Sequence, residues 1–147
     1  MEPVDKRFDE LTTTELYAIL RLRCDVFVVE QECAYHELDG RDTEPGTVHR
    51  WIGEDAEVLA YLRTLSEPDG DIRIGRVVTA PGARSSGLAA RLVGHVHATT
   101  PGPWVLDAQS HLADWYRRLG YETCGAEFVE DGIPHIPMRR ECPTDRT

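Results

Sequence analysis

Lysine is nearly missing from this chain: of 16 basic residues only Lys6 is a lysine, and the rest are arginine. That bias reads as genome composition rather than chemistry. Basic charge as a whole is also short, with 26 acidic residues, a formal net charge of −10 and a pI near 5.0. An acidic surface repels phosphate backbones, which argues against nucleic acid and anionic membrane as partners. Long apolar runs are missing too, and nothing approaches the roughly 20 residues of a membrane span. The opening MEPVDKRFDELTTTE lacks the basic-then-apolar order of a secretion signal, so a cytoplasmic location is expected. Cysteine is sparse. Cys24, Cys33, Cys124 and Cys142 form no C-x-x-C pair and have no matching histidine spacing, so no metal site is expected and the thiols read as structural. What the chain does have is 147 residues, 41% of them apolar, enough to bury a core as one domain over 1–147 without disulfide or metal.

Thr12 and Glu15 form a capping box that opens a helix, and Leu16, Ile19, Leu20, Arg23 and Phe27 recur along one stripe of it. The following FVVEQECAYHELDGRD reads as a helix end running into an irregular, solvent-facing acidic loop. Strand character returns over His49–Gly53, Val58–Ser66 and Ile72–Thr79, and Pro68, Asp69 and Gly70 mark a hairpin turn between the last two. A second helix follows PGARSSG, with Leu88, Leu92 and Val96 on one face and Ala89 and Val93 beside them. WVLDAQ is a buried strand, and His111–Leu119 is a third helix that ends before Gly120. Tyr121–Glu130 and Ile133–Arg140 flank the hairpin signal Asp131-Gly132. Pro134 and Pro137 place the last strand at an edge or a bulge. This is a mixed α/β sandwich around one sheet.

The segment RVVTAPGARSSGLAARL runs from strand through a loop of small residues directly into a helix. The first amides of a helix have no intrahelical partner and carry the positive end of its dipole, so such a junction suits a diphosphate. A plain strand–helix connection has the same composition. The loop is neither a Walker loop nor a dinucleotide fingerprint, since G-K-[ST] and G-x-G-x-x-G are both missing.

Arg84-Ser85-Ser86-Gly87-Leu88-Ala89 fits the R/Q-x-x-G-x-G/A motif, and in this respect the chain resembles the GCN5-related N-acetyltransferases (GNAT). It resembles their ElaA-like branch almost end to end, through ELYAILRLRCDVFVVEQECAYHELDGRD, IGRVV, AQSHLADWYRRLGY and EDGIPHIPM. The resemblance implies a mixed, mostly antiparallel central sheet flanked by helices and splayed at a β-bulge. It implies acetyl-CoA as co-substrate. Main-chain groups of Val77, Val78 and Thr79 would pair with the pantetheine arm, one amide polarising the thioester carbonyl. Amides of Arg84, Ser85, Ser86, Gly87, Leu88 and Ala89 would hold the pyrophosphate, and Gln109 would contact the cofactor arm where the sheet opens. Tyr116 matches the tyrosine that protonates the departing thiolate; the alternative is an aromatic anchor whose hydroxyl is satisfied by backbone. Many relatives have glycine where Ser85 stands. If that position turns left-handed, Ser85 is strained there at the expense of cofactor affinity.

The base and the acceptor are less constrained. Glu30, Glu32, Glu37, Asp39, His111 and His135 are candidates to take the amine's proton, with Glu30 and His111 placed nearest the expected cleft. The acids after Glu30 read equally as a solvated loop, and His135 as a structural hydrogen-bond partner. An acidic loop favours a cationic acceptor, either a small amine or a polypeptide amine. Cys33 lies near that loop, but no histidine pattern supports covalent catalysis. The expectation is direct acetyl transfer in a ternary complex. The competing readings are an acyl-CoA-binding or interaction module without turnover, and a homodimer formed through an exposed edge near Ile133–Met138.

Overall fold

The computed structural model describes residues 1–54 and 56–143. Eight strands form one sheet in the order β1-β2-β3-β4-β5-β8-β6, with β7 also paired to β8. They are β1 (Val4–Arg7), β2 (Val48–Glu54), β3 (Glu57–Ser66), β4 (Ile72–Thr79), β5 (Trp104–Gln109), β6 (Glu122–Thr123), β7 (Phe128–Glu130) and β8 (Ile133–Arg140). Every pairing is antiparallel except β4 with β5. Helix α1 (Thr13–Arg23) packs on one face, α2 (Leu88–Thr99) on the other, and the short α3 (Ala113–Arg118) follows β5.

Strand alternation divides the core between the two faces. Trp51, Tyr61 and Val78 meet Ile19, Leu22 and Val26 from the α1 side. Their neighbours Ile52, Ala60 and Leu62 turn the other way, against Leu92, Val93 and Val96 of α2. The capping box at Thr12 forms as read: Glu15 N donates to Thr12 Oγ1 at 3.1 Å and Thr12 N to Glu15 Oε1 at 2.9 Å. Beyond Arg23 the chain widens into π turns over Cys24–Glu30, with Gln31 N on Val26 O and Cys33 N on Val28 O, both at 3.0 Å. The hairpin at 66–71 and the bounds of β4 and β5 also follow the sequence reading. Among the described residues no helix is long and apolar enough to cross a membrane.

Three expectations need correction. First, β1 was not foreseen: VDKR is a four-residue edge strand whose alternate residues face solvent, too short and charged to show a period. Second, Tyr121–Glu130 is not one strand but β6 and β7, broken at 124–127. Third, β8 is interior rather than an edge, lying between β5 and the β6/β7 pair, so Ile133–Met138 offers no free edge for dimerisation.

The prolines of β8 explain both the break and the burial. Pro137 O accepts from Cys124 N at 2.9 Å, so its missing N–H faces the outer strands, at the gap between β6 and β7. A Cβ on Gly125 would lie 2.7 Å from Pro137 Cγ, which fits a glycine in that gap. Pro134, three residues away, turns its missing donor to the opposite side. There β5 has already ended, at Gln109 opposite His135.

Candidate functional site

The site begins where β4 and β5 part. Their parallel pairing covers only Ile72 with Trp104 and Arg73 with Val105; beyond that the strands diverge and leave a wedge. A bulge bends β4 at the mouth of this wedge. Tyr61 pairs with Val78 and Arg63 with Gly75, so Arg76 and Val77 together face the single residue Leu62. Arg76 takes the extra residue with φ of 53°, a left-handed conformation unusual for a branched-chain or long side chain. Ala80 N donates across to Leu59 O at 2.8 Å, so strand alternation turns the main-chain groups of Thr79 and Val77 to the open wedge. Val78 is directed toward β3 and buries its side chain in the α1-side core.

At the end of β4 the chain makes a 3-10 turn over Pro81–Ala83 and then the loop Arg84–Gly87 before α2. Ser85 and Gly87 are both left-handed, with φ of 64° and 79°. The second serine, Ser86, is fixed through its hydroxyl, which donates to Ala83 O. Arg91 N on Gly87 O, at 3.0 Å, starts the helical ladder, and Gly87 provides no side-chain cap. Among the described residues the amides of Arg84, Ser85, Ser86, Gly87, Leu88 and Ala89 find no acceptor in a turn, cap or side chain. A Cβ on Gly87 would meet nothing within 4 Å, so this glycine is required by its φ and not by crowding.

Side chains close the wedge at its other end. Gln109, on the last position of β5, donates to Gln31 Oε1 at 3.4 Å. Glu30, beside Gln31, accepts both Arg84 Nη1 and Nη2, at 2.5 and 2.6 Å. That pair joins the loop Arg84–Gly87 to the end of the π-turned segment, and Arg84 holds the Glu30 carboxyl below the usual carboxylate range. Cys33 Sγ reaches Asp131 O at 3.4 Å, connecting the same segment to the β7–β8 turn.

Tyr116 lies on α3, immediately after the open end of β5, and is 6% exposed. Its ring is held edge-on by Trp115 and Tyr121, with centroids at 4.8 and 5.9 Å. Among the described residues the hydroxyl has no backbone or side-chain hydrogen-bond partner. Burial pushes the phenol up, so it keeps its proton well above neutral pH. His111 is exposed on the 3-10 turn Ser110–Leu112 that leads into α3. His135 faces Gln109 across the sheet, but its Nδ1 is engaged with Ile133 O at 2.7 Å and its ring stacks on Phe128.

The acidic loop is not the solvated face that its composition implied. Glu37 and Asp42 are buried. Three arginines from three elements converge on three of its acids. Arg23, wholly buried at the end of α1, grips Asp42 with Nη1–Oδ1 at 2.7 Å and Nη2–Oδ2 at 3.2 Å. Arg63 of β3 holds Asp39 at 2.5 Å and shares Asp42 at 3.0 Å. Arg76 of β4 places Nε 2.5 Å from Glu37 Oε2, off-axis for a hydrogen bond, and donates from Nη2 to Glu37 O at 3.0 Å. The guanidinium partners keep the Asp39 and Asp42 carboxyls ionised against burial that pushes them the other way. With three acids matched to three arginines, this part of the loop carries no spare negative charge for a cationic acceptor. Glu32, exposed with φ of 51°, stands outside the network. One signal for the network was in the sequence: Arg23 occupies the apolar stripe of α1, and a charge at a core position needs a buried partner. Nothing local marked Arg63 or Arg76.

A family model described as an acetyltransferase (GNAT) domain matches residues 21–142. A UPF0039 protein of Mycobacterium tuberculosis is 43% identical over 136 residues, covering 89% of this chain and 87% of that one. Protein ElaA of Escherichia coli is 37% identical over 144 residues, 93% of this chain and 94% of its own. The crystal structure of ElaA superposes with a TM-score of 0.86, covering 95% of this chain and 99% of that one. An acyl-CoA N-acyltransferase from Pseudomonas aeruginosa superposes with a TM-score of 0.87 at 41% identity, again covering 95% and 99%. The bulged and splayed sheet, the loop at its opening and these likenesses agree, and the chain belongs to the GNAT acetyltransferase family, close to ElaA.

Proposed function

We propose that this chain, acting as a single domain, transfers the acetyl group of acetyl-CoA directly to an amine within a ternary complex. The observation that carries this reading is the row of unpartnered amides from Arg84 to Ala89 beside the wedge between β4 and β5. Those amides and the dipole of α2 suit a pyrophosphate. The main-chain groups of Val77 and Thr79 suit the extended pantetheine arm, with Val78 fixing the strand from behind and Gln109 bordering the arm from β5. An amide aimed at the thioester oxygen stabilises the charge that grows there as the amine nitrogen attacks. The C–S bond then breaks, and Tyr116 gives its proton to the departing sulfur. The nitrogen's surplus proton passes to Glu30 or His111. Arg84 exchanging Glu30 for phosphate frees that carboxylate for the role. Holding amine and thioester side by side supplies much of the acceleration.

The test is a calorimetric titration with acetyl-CoA, followed by measurement of free CoA release across a panel of small amines and peptides. Saturable binding with amine-dependent release is expected. Binding without release on any amine reduces the chain to a non-catalytic acyl-CoA-binding module, and no binding at all removes both readings.

A further inference from the structure

The bulge in β4 is held in shape from outside the wedge. Arg76 carries the left-handed residue of the bulge, with φ of 53°, where a glycine would sit without strain. Its side chain turns away from the wedge and into the loop at 35–42. There it meets Glu37 Oε2 at 2.5 Å, Glu37 O at 3.0 Å and Asp39 Oδ2 at 3.5 Å. Its guanidinium also lies 5.6 Å from the centre of the Tyr35 ring. None of these partners is free to follow it. Glu37 has a side chain 3% exposed, sits against Arg23 Nη2 at 3.5 Å and accepts from Tyr35 Oη at 3.2 Å. Asp39 is fixed by Arg63. The conformation at Arg76 is thus stabilised by contacts that exist only when the loop is docked.

From this we infer that Arg76 is a positioning residue. Clamped by Glu37, Asp39 and Tyr35, it holds the bulge that aims the Val77 and Thr79 main chain into the wedge. The order of the acidic loop thereby sets how well the strand presents the acyl group. This rests on the proposed acetyl transfer, in which those main-chain groups meet the thioester. Arg76 itself touches no reacting atom; it acts through the backbone it bends.

The experiment compares Arg76→Gly, Arg76→Lys and Glu37→Gln with the wild-type chain. Glycine accepts the φ without cost, so R76G removes the clamp and leaves the bulge sterically allowed. In R76G, kcat is expected to fall at least about tenfold, the scale of a misplaced donor to developing charge. The Kd for free CoA, held mainly at the phosphate loop, stays within about threefold. R76K, which still reaches Glu37, restores much of the loss, and E37Q falls between. Hydrogen exchange of the 72–80 peptide, followed by mass spectrometry, is faster in R76G and E37Q. Should R76G fail to fold, the nearly isosteric E37Q carries both measurements. Wild-type kcat and wild-type exchange in the folded variants overturn the clamp. A wild-type chain that releases no CoA with any amine overturns the transferase reading instead, and the exchange result then decides the clamp alone.

Discussion

The site rests on two walls made of different material. The β4–α2 wall is main chain: a bulge, three left-handed residues and six amides without a partner among the described residues. The wall behind the bulge, the loop that follows Glu30, is side chain: Arg23, Arg63 and Arg76 against Glu37, Asp39 and Asp42. A wall of main chain tolerates most side-chain changes and fails only where φ or access changes. A wall of ion pairs fails wherever one partner is lost, because the other remains as a buried charge.

The largest expected effect tests the side-chain wall. Asp42→Ala leaves wholly buried Arg23 without its two-point partner and takes a partner from Arg63. Breaking a buried pair this way costs about 3–5 kcal/mol, read as a lower midpoint in urea unfolding. The folded fraction still binds acetyl-CoA. A loss under about 1 kcal/mol would show that the loop is held by something other than its charges.

On the main-chain wall the matching break is Gly87→Glu. It forces a side chain onto φ of 79° and sets a carboxylate among the loop amides. Acetyl-CoA affinity should fall at least about 100-fold by calorimetry, with a stability cost near 1 kcal/mol from the strained φ. Unchanged affinity would place the nucleotide elsewhere. Tyr116→Phe probes the wedge itself. With no hydrogen-bond partner among the described residues, its hydroxyl contributes little to stability. The expected result is kcat lower by about 10- to 100-fold with CoA affinity intact, and unaltered turnover would make Tyr116 a packing residue.

The contrast also explains what could be read from the sequence. The β4–α2 wall left local marks in the sequence because backbone geometry does so: small residues before a helix and a β-branched run. β4, β5 and the first turn of α1 fell where their patterns put them. The ion-pair wall was not legible, since its contacts join residues 14 to 39 positions apart and composition cannot distinguish a paired acid from a solvated one. Arg23 on an apolar stripe was the one mark it left. β8 misled for a related reason: whether a proline tolerates an interior strand depends on where its neighbours end, which is a property of β5, β6 and β7.

Acid separates other polar sites from that wall. His97 on α2 accepts from Arg140 Nη1 at 2.8 Å and contacts Tyr121 Oη at 2.7 Å, so it is neutral in the fold. Burial, reinforced by the Arg140 charge, pulls its pKa down to about 4. An unfolded histidine takes its proton near pH 6.5, so between about 6.5 and 4 the unfolded chain binds the extra proton and stability falls with pH. Asp39 and Asp42 have carboxyls held low by arginine and yield only in stronger acid. His97→Gln keeps an acceptor for Arg140 and should flatten the loss over that window by about 2 kcal/mol, discounted for partial exposure. His49, buried between Tyr61 and Asp42 O and also lowered, retains its own share. An unchanged pH profile would mean that His97 takes up its proton in the fold.

The smallest effect concerns Ser85, a left-handed serine in the loop proposed to hold the pyrophosphate. Strain at this position weakens cofactor binding only if the turn forms on binding. The turn is already present, with φ of 64°, and the neighbouring Ser86 hydroxyl is fastened to Ala83 O. The strain therefore falls on folding rather than on affinity. Ser85→Gly relieves about 1 kcal/mol of it but returns a similar entropy to the unfolded chain. The expected change in stability is under about 0.5 kcal/mol, with acetyl-CoA Kd within about twofold. A much tighter Kd in S85G would show that the loop relaxes when free, and that this stretch of the main-chain wall is assembled by its ligand rather than built in advance.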